Sequence, residues 1–345
     1  MITYIVRRLL MIPLLLLAIS LVVFSMGQLL GPDLLVSAYI NPNVAERMTA
    51  EQLNSLKEKY GLNDPMPVRY AKWLSNTLKG DLGWSQVGKE PVLDAILNRL
   101  PYSIEIALWA LFPIIGFSIW MGVKAAVKHN TFFDHFIRVF TLIGWSFPDF
   151  VFGIFILLFF YGVLGWFPPG VISVEGFQIM RSPEFTNYTG MITIDAIFNW
   201  RWDIFIDGLR HLIAPILTIS YLWWAYLLRI TRASMLEVMR KDYVRTARAK
   251  GVSEKNVVHK HAKRNALIPV VTVSGQFIIG LIMGVIIVET VFNRPGFGRL
   301  TANAAQTLDY STVMGSLLFT SIIMIVGNLI VDVTYALIDP RIRLE

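Results

Sequence analysis

Residues 229–266 read RITRASMLEVMRKDYVRTARAKGVSEKNVVHKHAKRNA, and they stand between two apolar runs, 212–228 and 267–293. The segment holds 11 Lys and Arg against Glu237, Asp242 and Glu254, and it contains no proline. It is too long for a turn. Residues 229–250 read as helix, Gly251 interrupts it, and Ser253 starts a second helix with Glu254 in its first turn, running to about Ala266. Attraction to anionic lipid requires many cations but no particular spacing and no hinge. A folded docking element, helix–glycine–helix, accounts for both.

What surrounds this segment is made for lipid. Of 345 residues, 55% are hydrophobic and only 16% charged, where a soluble domain carries about a quarter. Mean hydropathy is +0.56. Six stretches reach the roughly 20 apolar residues that a helix needs to cross about 30 Å of hydrocarbon: 9–30, 104–123, 139–163, 212–228, 267–293 and 313–337. The fourth is the shortest and is expected to continue into polar sequence. The first follows Arg7 and Arg8 but is about twice as long as a signal-peptide core and precedes no small-residue cleavage site, so it reads as a retained span. An all-α integral membrane protein with six transmembrane helices is expected. The absence of cysteine excludes disulfides and thiolate metal sites.

Charge gives the orientation. With both termini inside, the internal segments carry 18 Lys and Arg in 69 residues and the external ones 13 in 140, as the positive-inside rule requires. Net charge is +12 inside, −1 outside and −4 within the spans. The basic pI is therefore a signature of topology and carries no argument for nucleic acid.

Outside the bilayer, Thr49-Ala50-Glu51-Gln52 has the capping-box pattern, with Leu53, Leu56 and Tyr60 at helical spacing and Gly61 as a C-terminal cap. A short amphipathic helix follows, lying on the membrane or packed on the spans. The second external segment, 164–211, is rich in aromatics such as Trp166, Trp200 and Trp202, and reads as an interfacial belt or a docking surface. The chain is expected to divide into 1–103, a first span with its external segment, and 104–345, a core of five spans.

No motif carries catalysis. Gly83 to Glu90 (GWSQVGKE) nearly matches a phosphate-binding loop, but Glu90 replaces the hydroxyl residue that holds magnesium. In Gly296-Phe297-Gly298, Thr301 stands where a dinucleotide fingerprint needs its third glycine. His259 and His261, two apart on a helix, point to different faces. Four acids fall within the expected spans: Glu105 and Glu289 near the outer boundary, where water is expected to reach them; Asp332 near the inner end; and Asp149 deepest, beside a kink expected at Pro148.

Beyond the internal loop (Asp242 to Pro269), the chain carries Tyr4-Ile5-Val6-Arg7-Arg8-Leu9, Tyr60-Gly61-Leu62-Asn63-Asp64-Pro65, Gly80-Asp81-Leu82-Gly83, Pro91-Val92 and Arg99-Leu100-Pro101. Further on come Glu289-Thr290-Val291-Phe292, Pro295-Gly296-Phe297-Gly298, Asp309-Tyr310, Asp332, Tyr335 and Asp339-Pro340-Arg341. In this order they resemble the permease subunits of binding-protein-dependent ABC importers, in particular the first permease of the oligopeptide, dipeptide and nickel branch. Where the general importer loop has Glu-Ala-Ala, this chain has Arg245-Thr246-Ala247, as is typical of the peptide branch.

The resemblance implies the type I importer permease fold in the cytoplasmic (inner) membrane of a prokaryote, multi-pass, with both termini cytoplasmic. It implies a permease that is not itself an enzyme, with no cofactor of its own, ATP and magnesium being bound by partners. Those partners would be a second, similar permease, one or two cytoplasmic ABC ATPases, an extracytoplasmic substrate-binding protein and membrane lipid, with no nucleic acid. Peptides are the expected cargo; oligosaccharides or nickel are alternatives, and an ion-coupled secondary transporter using Asp149 or Asp332 is the competing class. The residues expected to dock the ATPase are Tyr243, Arg245, Thr246, Ala247, Arg248, Ala249, Lys250, Gly251, Ser253 and Glu254. Gly251 would supply a positive φ or a close approach, Ala247 the small side chain that lets the helix enter a groove, and Arg245, Arg248 and Lys250 cations for acids on the ATPase.

Overall fold

The computed structural model describes residues 2–28, 35, 48–59, 61–283 and 285–338. Helices dominate: among the described residues, strands occur only as the pair Trp84–Ser85 and Glu90–Pro91, a small antiparallel hairpin. Four helices are long and apolar enough to cross a membrane alone: α1 (Ile2–Gln28), α4 (Val92–Val127), α9 (Trp202–Val238) and α15 (Tyr310–Ile338). Two bent helix pairs pass the same length and composition test together, so the candidate spans number up to six when each pair counts as one. In the first, α5 (Phe132–Ser146) meets α6 (Asp149–Val163) at 105°; in the second, α11 (Glu254–Ala266) meets α12 (Ile268–Ile282) at 49°.

The break in the third span has a local cause. Phe147 precedes Pro148, and the proline ring excludes its neighbour from the helical region. Phe147 accordingly adopts φ −87 and ψ 128, and the chain leaves in a new direction. The kink expected at Pro148 is present. α4 and α9 have 36 and 37 residues, some 55 Å of helix against about 30 Å of hydrocarbon. The fourth apolar run does continue into polar sequence, at both ends.

The chain forms two compact units, one of Met1–Pro101 with Pro295–Val333, the other running Tyr102–Arg294. The stretch from Pro295 packs with the beginning of the chain.

In the first unit, the short helices α2 (Ala50–Lys59) and α3 (Met66–Leu78) follow α1. The capping box forms: the Thr49 N–H donates to Gln52 Oε1 at 3.0 Å and the Gln52 N–H to Thr49 Oγ1 at 3.4 Å. Gly61 closes α2 at φ +65, with the Leu62 N–H returning to the Lys57 carbonyl at 2.7 Å. α3 packs on α1 through Phe24, whose ring lies 5.4 Å from Tyr70 and 5.5 Å from Trp73. The phosphate-loop look-alike is the hairpin itself. Asp309 Oδ2 accepts from the N–H groups of Gln86 at 2.6 Å and Val87 at 3.0 Å, so the donors that would cradle a phosphate hold a carboxylate of the chain. Phe297, from the failed dinucleotide pattern, opens α14 (Phe297–Gln306) and is buried with Val92, Ile96 and Leu300. Asp332 pairs with Arg8 at 3.1 Å.

The second unit holds the largest apolar core, built from α4, α9, α12 and α13 (Ile286–Val291) around Ile114, Leu212, Ile219, Phe277 and Phe292. Its remaining short helices, α7 (Val174–Met180) and α8 (Ile192–Phe198), lie in the segment 164–211.

Candidate docking site

The internal loop folds on itself. α9 does not continue to residue 250 as expected from sequence; it ends at Val238, and a separate helix, α10 (Asp242–Ala249), begins after a turn at Met239–Lys241. Burial explains the break. Val244 and Ala247, three apart on one face of α10, are 0% and 7% exposed and pack with Met235, Val257, Val258 and Ala262. A straight extension of α9 would leave them in water. At the foot of the loop, Arg232 on α9 grips the fully buried Asp134 on α5 with two bonds of 2.6 and 2.8 Å.

α10 ends in a Schellman motif. The Gly251 N–H donates to the Arg248 carbonyl at 2.9 Å and the Val252 N–H to the Ala247 carbonyl at 3.2 Å. Gly251 sits at φ +74, and a Cβ there would meet nothing within 4 Å. It takes the positive φ expected of it, and within the chain a side chain there would meet open space among the described residues. Ser253 occupies the N-cap of α11 as expected, but its hydroxyl makes no capping bond; its carbonyl accepts from Asn256 and Val257. Residues 257–262 of α11 take the wider π-helical turn.

The expected docking residues separate into two groups. Tyr243, Arg245, Thr246, Ala249 and Lys250 share the exposed side of α10. Ala247 does not: it lies beneath the helix, and its small size serves internal packing. Arg248 is also engaged within the loop. It forms a two-pronged pair with Glu254 at 2.7 and 3.0 Å across the glycine, which raises the Arg248 pKa and lowers that of Glu254. Tyr243 accepts a bond of 2.9 Å from Asn265, tying α10 to the end of α11. Arg245 reaches Asp242 at only 3.5 Å, and Lys250 makes no ion pair among the described residues. The loop is thus a pinned scaffold presenting Arg245, Thr246, Ala249 and Lys250 outward.

A second set of polar residues was misread from sequence. Glu105 and Glu289, expected to meet water, are both 0% exposed. Glu105 Oε2 pairs with Arg294 Nη2 at 2.8 Å, and its Oε1 accepts from the Thr193 N–H and hydroxyl at 2.7 and 2.8 Å. Glu289 Oε1 accepts from the Ser103 hydroxyl at 2.6 Å. Arg294, 0% exposed, also donates to the Gly170 carbonyl at 3.2 Å. The sequence reading passed over Arg294 because it stands in a polar external segment. Among the described residues no cluster of His, Asp and Glu could hold a metal ion.

Up to six candidate spans and a folded basic loop between two of them are the features to set beside known proteins. Residues 114–344 match the family described as binding-protein-dependent transport system inner membrane component, residues 1–107 match its N-terminal domain, and the chain belongs to this family. It is 36% identical over 344 residues to an oligopeptide transport system permease of Bacillus subtilis, covering 99% of this chain and all of that one. It is likewise 36% identical to a di/tripeptide permease of Pseudomonas aeruginosa (99% of each chain), and 34% identical to a dipeptide permease of Alkalihalophilus pseudofirmus (99% of this chain, all of that one). The protein is thus a permease subunit of a binding-protein-dependent ABC importer: a transport subunit and not an enzyme, working in a membrane with a substrate-binding protein and an ATPase.

Proposed function

We propose that the chain is one of two similar permeases of a peptide importer in the cytoplasmic membrane, with both termini inside. The observation that carries the cargo is that the relatives matching almost the whole chain are named for oligopeptides, di/tripeptides and dipeptides. The charge asymmetry of the loops supports the orientation. Residues 242–254 dock a cytoplasmic ATPase. The exposed side of α10 enters a groove on that subunit, and the cap at Gly251 and the Arg248–Glu254 pair hold α10 at a fixed angle to α11. Because α11 leads directly into α12, movement of the ATPase passes to a span as the displacement of a rigid body. ATP and magnesium stay on the ATPases. The external segments 31–103 and 164–211 receive peptide from the binding protein.

The test is uptake into vesicles holding the complete importer, with its binding protein and ATP, against panels of di-, tri- and oligopeptides, oligosaccharides and nickel. Uptake of peptides alone is expected. Uptake of sugars or nickel without peptides would replace the cargo, and uptake driven by an ion gradient without ATP would replace the class.

A further inference from the structure

Asp149 is absorbed by none of the above. It follows the Phe147–Pro148 break, and it is half-buried on the wall of a cavity of about 620 Å³ formed by α5, α6, α9 and α12. The fifteen residues of α5 span about 22 Å, less than the roughly 30 Å of hydrocarbon. The carboxylate at that break falls within the apolar run 139–163, the third candidate span. Asp149 has no ion-pair or hydrogen-bond partner among the described residues, and neither does Gln276 across the cavity. An intramembrane acid without a partner is costly, and such residues mark the path of a substrate or ion.

The remaining wall defines the chemistry of the occupant. Trp145, Trp223 and Tyr226 line the cavity with aromatic rings, a type of side chain that attracts cations through its quadrupole. The Arg229 guanidinium already lies 5.2 Å from the Trp145 ring centre and 5.9 Å from that of Tyr226. One carboxylate, aromatic rings and a free side-chain amide complement an ammonium attached to an amide-bearing chain. A bare metal cation would need several oxygen ligands converging on one point, and the cavity offers no second carboxylate.

We propose that this cavity is a transient site for the α-ammonium group of the peptide in transit, with Asp149 as its counter-ion and Gln276 as a partner for the first peptide amide. The assignment rests on the peptide reading above and adds the part of the cargo that the permease recognises. A single ion pair with open walls suits a transport site, which must bind well enough to admit the cargo and weakly enough to release it.

The experiment uses the complete importer in proteoliposomes with ATP, its loaded binding protein, and trialanine as the probe. Asp149→Asn is expected to lower the maximal uptake rate at least about tenfold, since a charge-assisted bond is lost, without changing the binding-protein concentration at half-maximal rate. Asp149→Glu keeps the charge and is expected to retain most of the rate. Equal rates in wild type and Asp149→Asn, or a Glu variant as impaired as the Asn variant, would overturn the site while leaving the peptide importer standing. Failure of the wild type to import any peptide would overturn the functional reading and the site with it. Uptake that collapses when the ion gradients are dissipated, in wild type but not in Asp149→Asn, would make Asp149 an ion-coupling group and also overturn the proposal. A measurement independent of variant folding follows tryptophan emission of the purified wild-type complex without binding protein. Trialanine is expected to perturb it and N-acetyl-trialanine is not; an equal response to both, or to neither, would overturn the proposal.

Discussion

The docking loop and the Glu105–Arg294 cluster use the same chemistry, Arg against carboxylate, in opposite settings. In the loop, Arg248 and Glu254 are 40% and 55% exposed. Water screens the pair, which acts mainly as a geometric pin across Gly251. In the cluster, the Arg294 and Glu105 side chains are 0% and 1% exposed, and each depends on the other because a charge buried that deeply is costly without its partner. The loop can therefore trade partners at its surface, while the cluster fixes the walls around it and cannot lose a member cheaply.

That contrast sets the order of mutational effects. Arg294→Ala leaves the buried Glu105 without its cation and is expected to cost about 3–5 kcal/mol, read as a large fall in thermal unfolding temperature or in folded yield from detergent. A variant with unchanged stability would show that the cluster is not a fixed structural element. On the loop, Arg245→Ala and Lys250→Ala are each expected to cost about 1 kcal/mol or less in ATPase affinity, measured by titrating the ATPase onto immobilised permease. A loss as large as that of Arg294→Ala would mean that these cations are buried in the complex.

The smallest effect is that of pH. The bond from Arg248 holds the Glu254 carboxyl below its ordinary value of 4.5. A depressed acid contributes stability above its unfolded pKa and loses it as pH falls through the folded one. Protection of the Gly251–Val252 turn from hydrogen exchange, normalised for intrinsic rates, is expected to be flat from neutral pH down to the ordinary Glu value and to decline in stronger acid. Glu254→Gln should remove that acid limb; an unchanged limb would assign it to another group.

Much of this was legible in the sequence where the cause is local. The capping box at Thr49, the cap glycines Gly61 and Gly251 and the bend at Pro148 each follow from one or a few neighbouring residues, and each is present. Each of the six apolar runs overlaps one of the up to six candidate spans. What failed depends on tertiary burial. The end of α9 at Val238 is set by Val244 and Ala247 seeking apolar neighbours on α4 and α11, which no local pattern encodes. Ala247 was read as a groove-entry residue from its small size, but it packs beneath α10 with Met235, Val257 and Val258. Glu105 and Glu289 were placed in water by their nearness to a span boundary, but depth along a helix does not specify which face a side chain occupies. Arg294, their buried neighbour, gave no sequence signal beyond a lone cation after the Glu289-Thr290-Val291-Phe292 motif.

The central claim is that the exposed side of α10, held by the cap at Gly251, carries the energy of ATP into the spans. Ala249 tests it most directly, because it is small, lies on that exposed side and is not part of the buried cluster beneath α10. The measurement is co-purification of the ATPase with Ala249→Trp, alongside Gly251→Leu, whose side chain meets empty space but forces a left-handed backbone costing about 1–2 kcal/mol. Near-complete loss of the ATPase from Ala249→Trp and weakened retention by Gly251→Leu are expected, with membrane insertion intact and peptide uptake falling in parallel. Full retention of the ATPase and full uptake by both variants would contradict the claim.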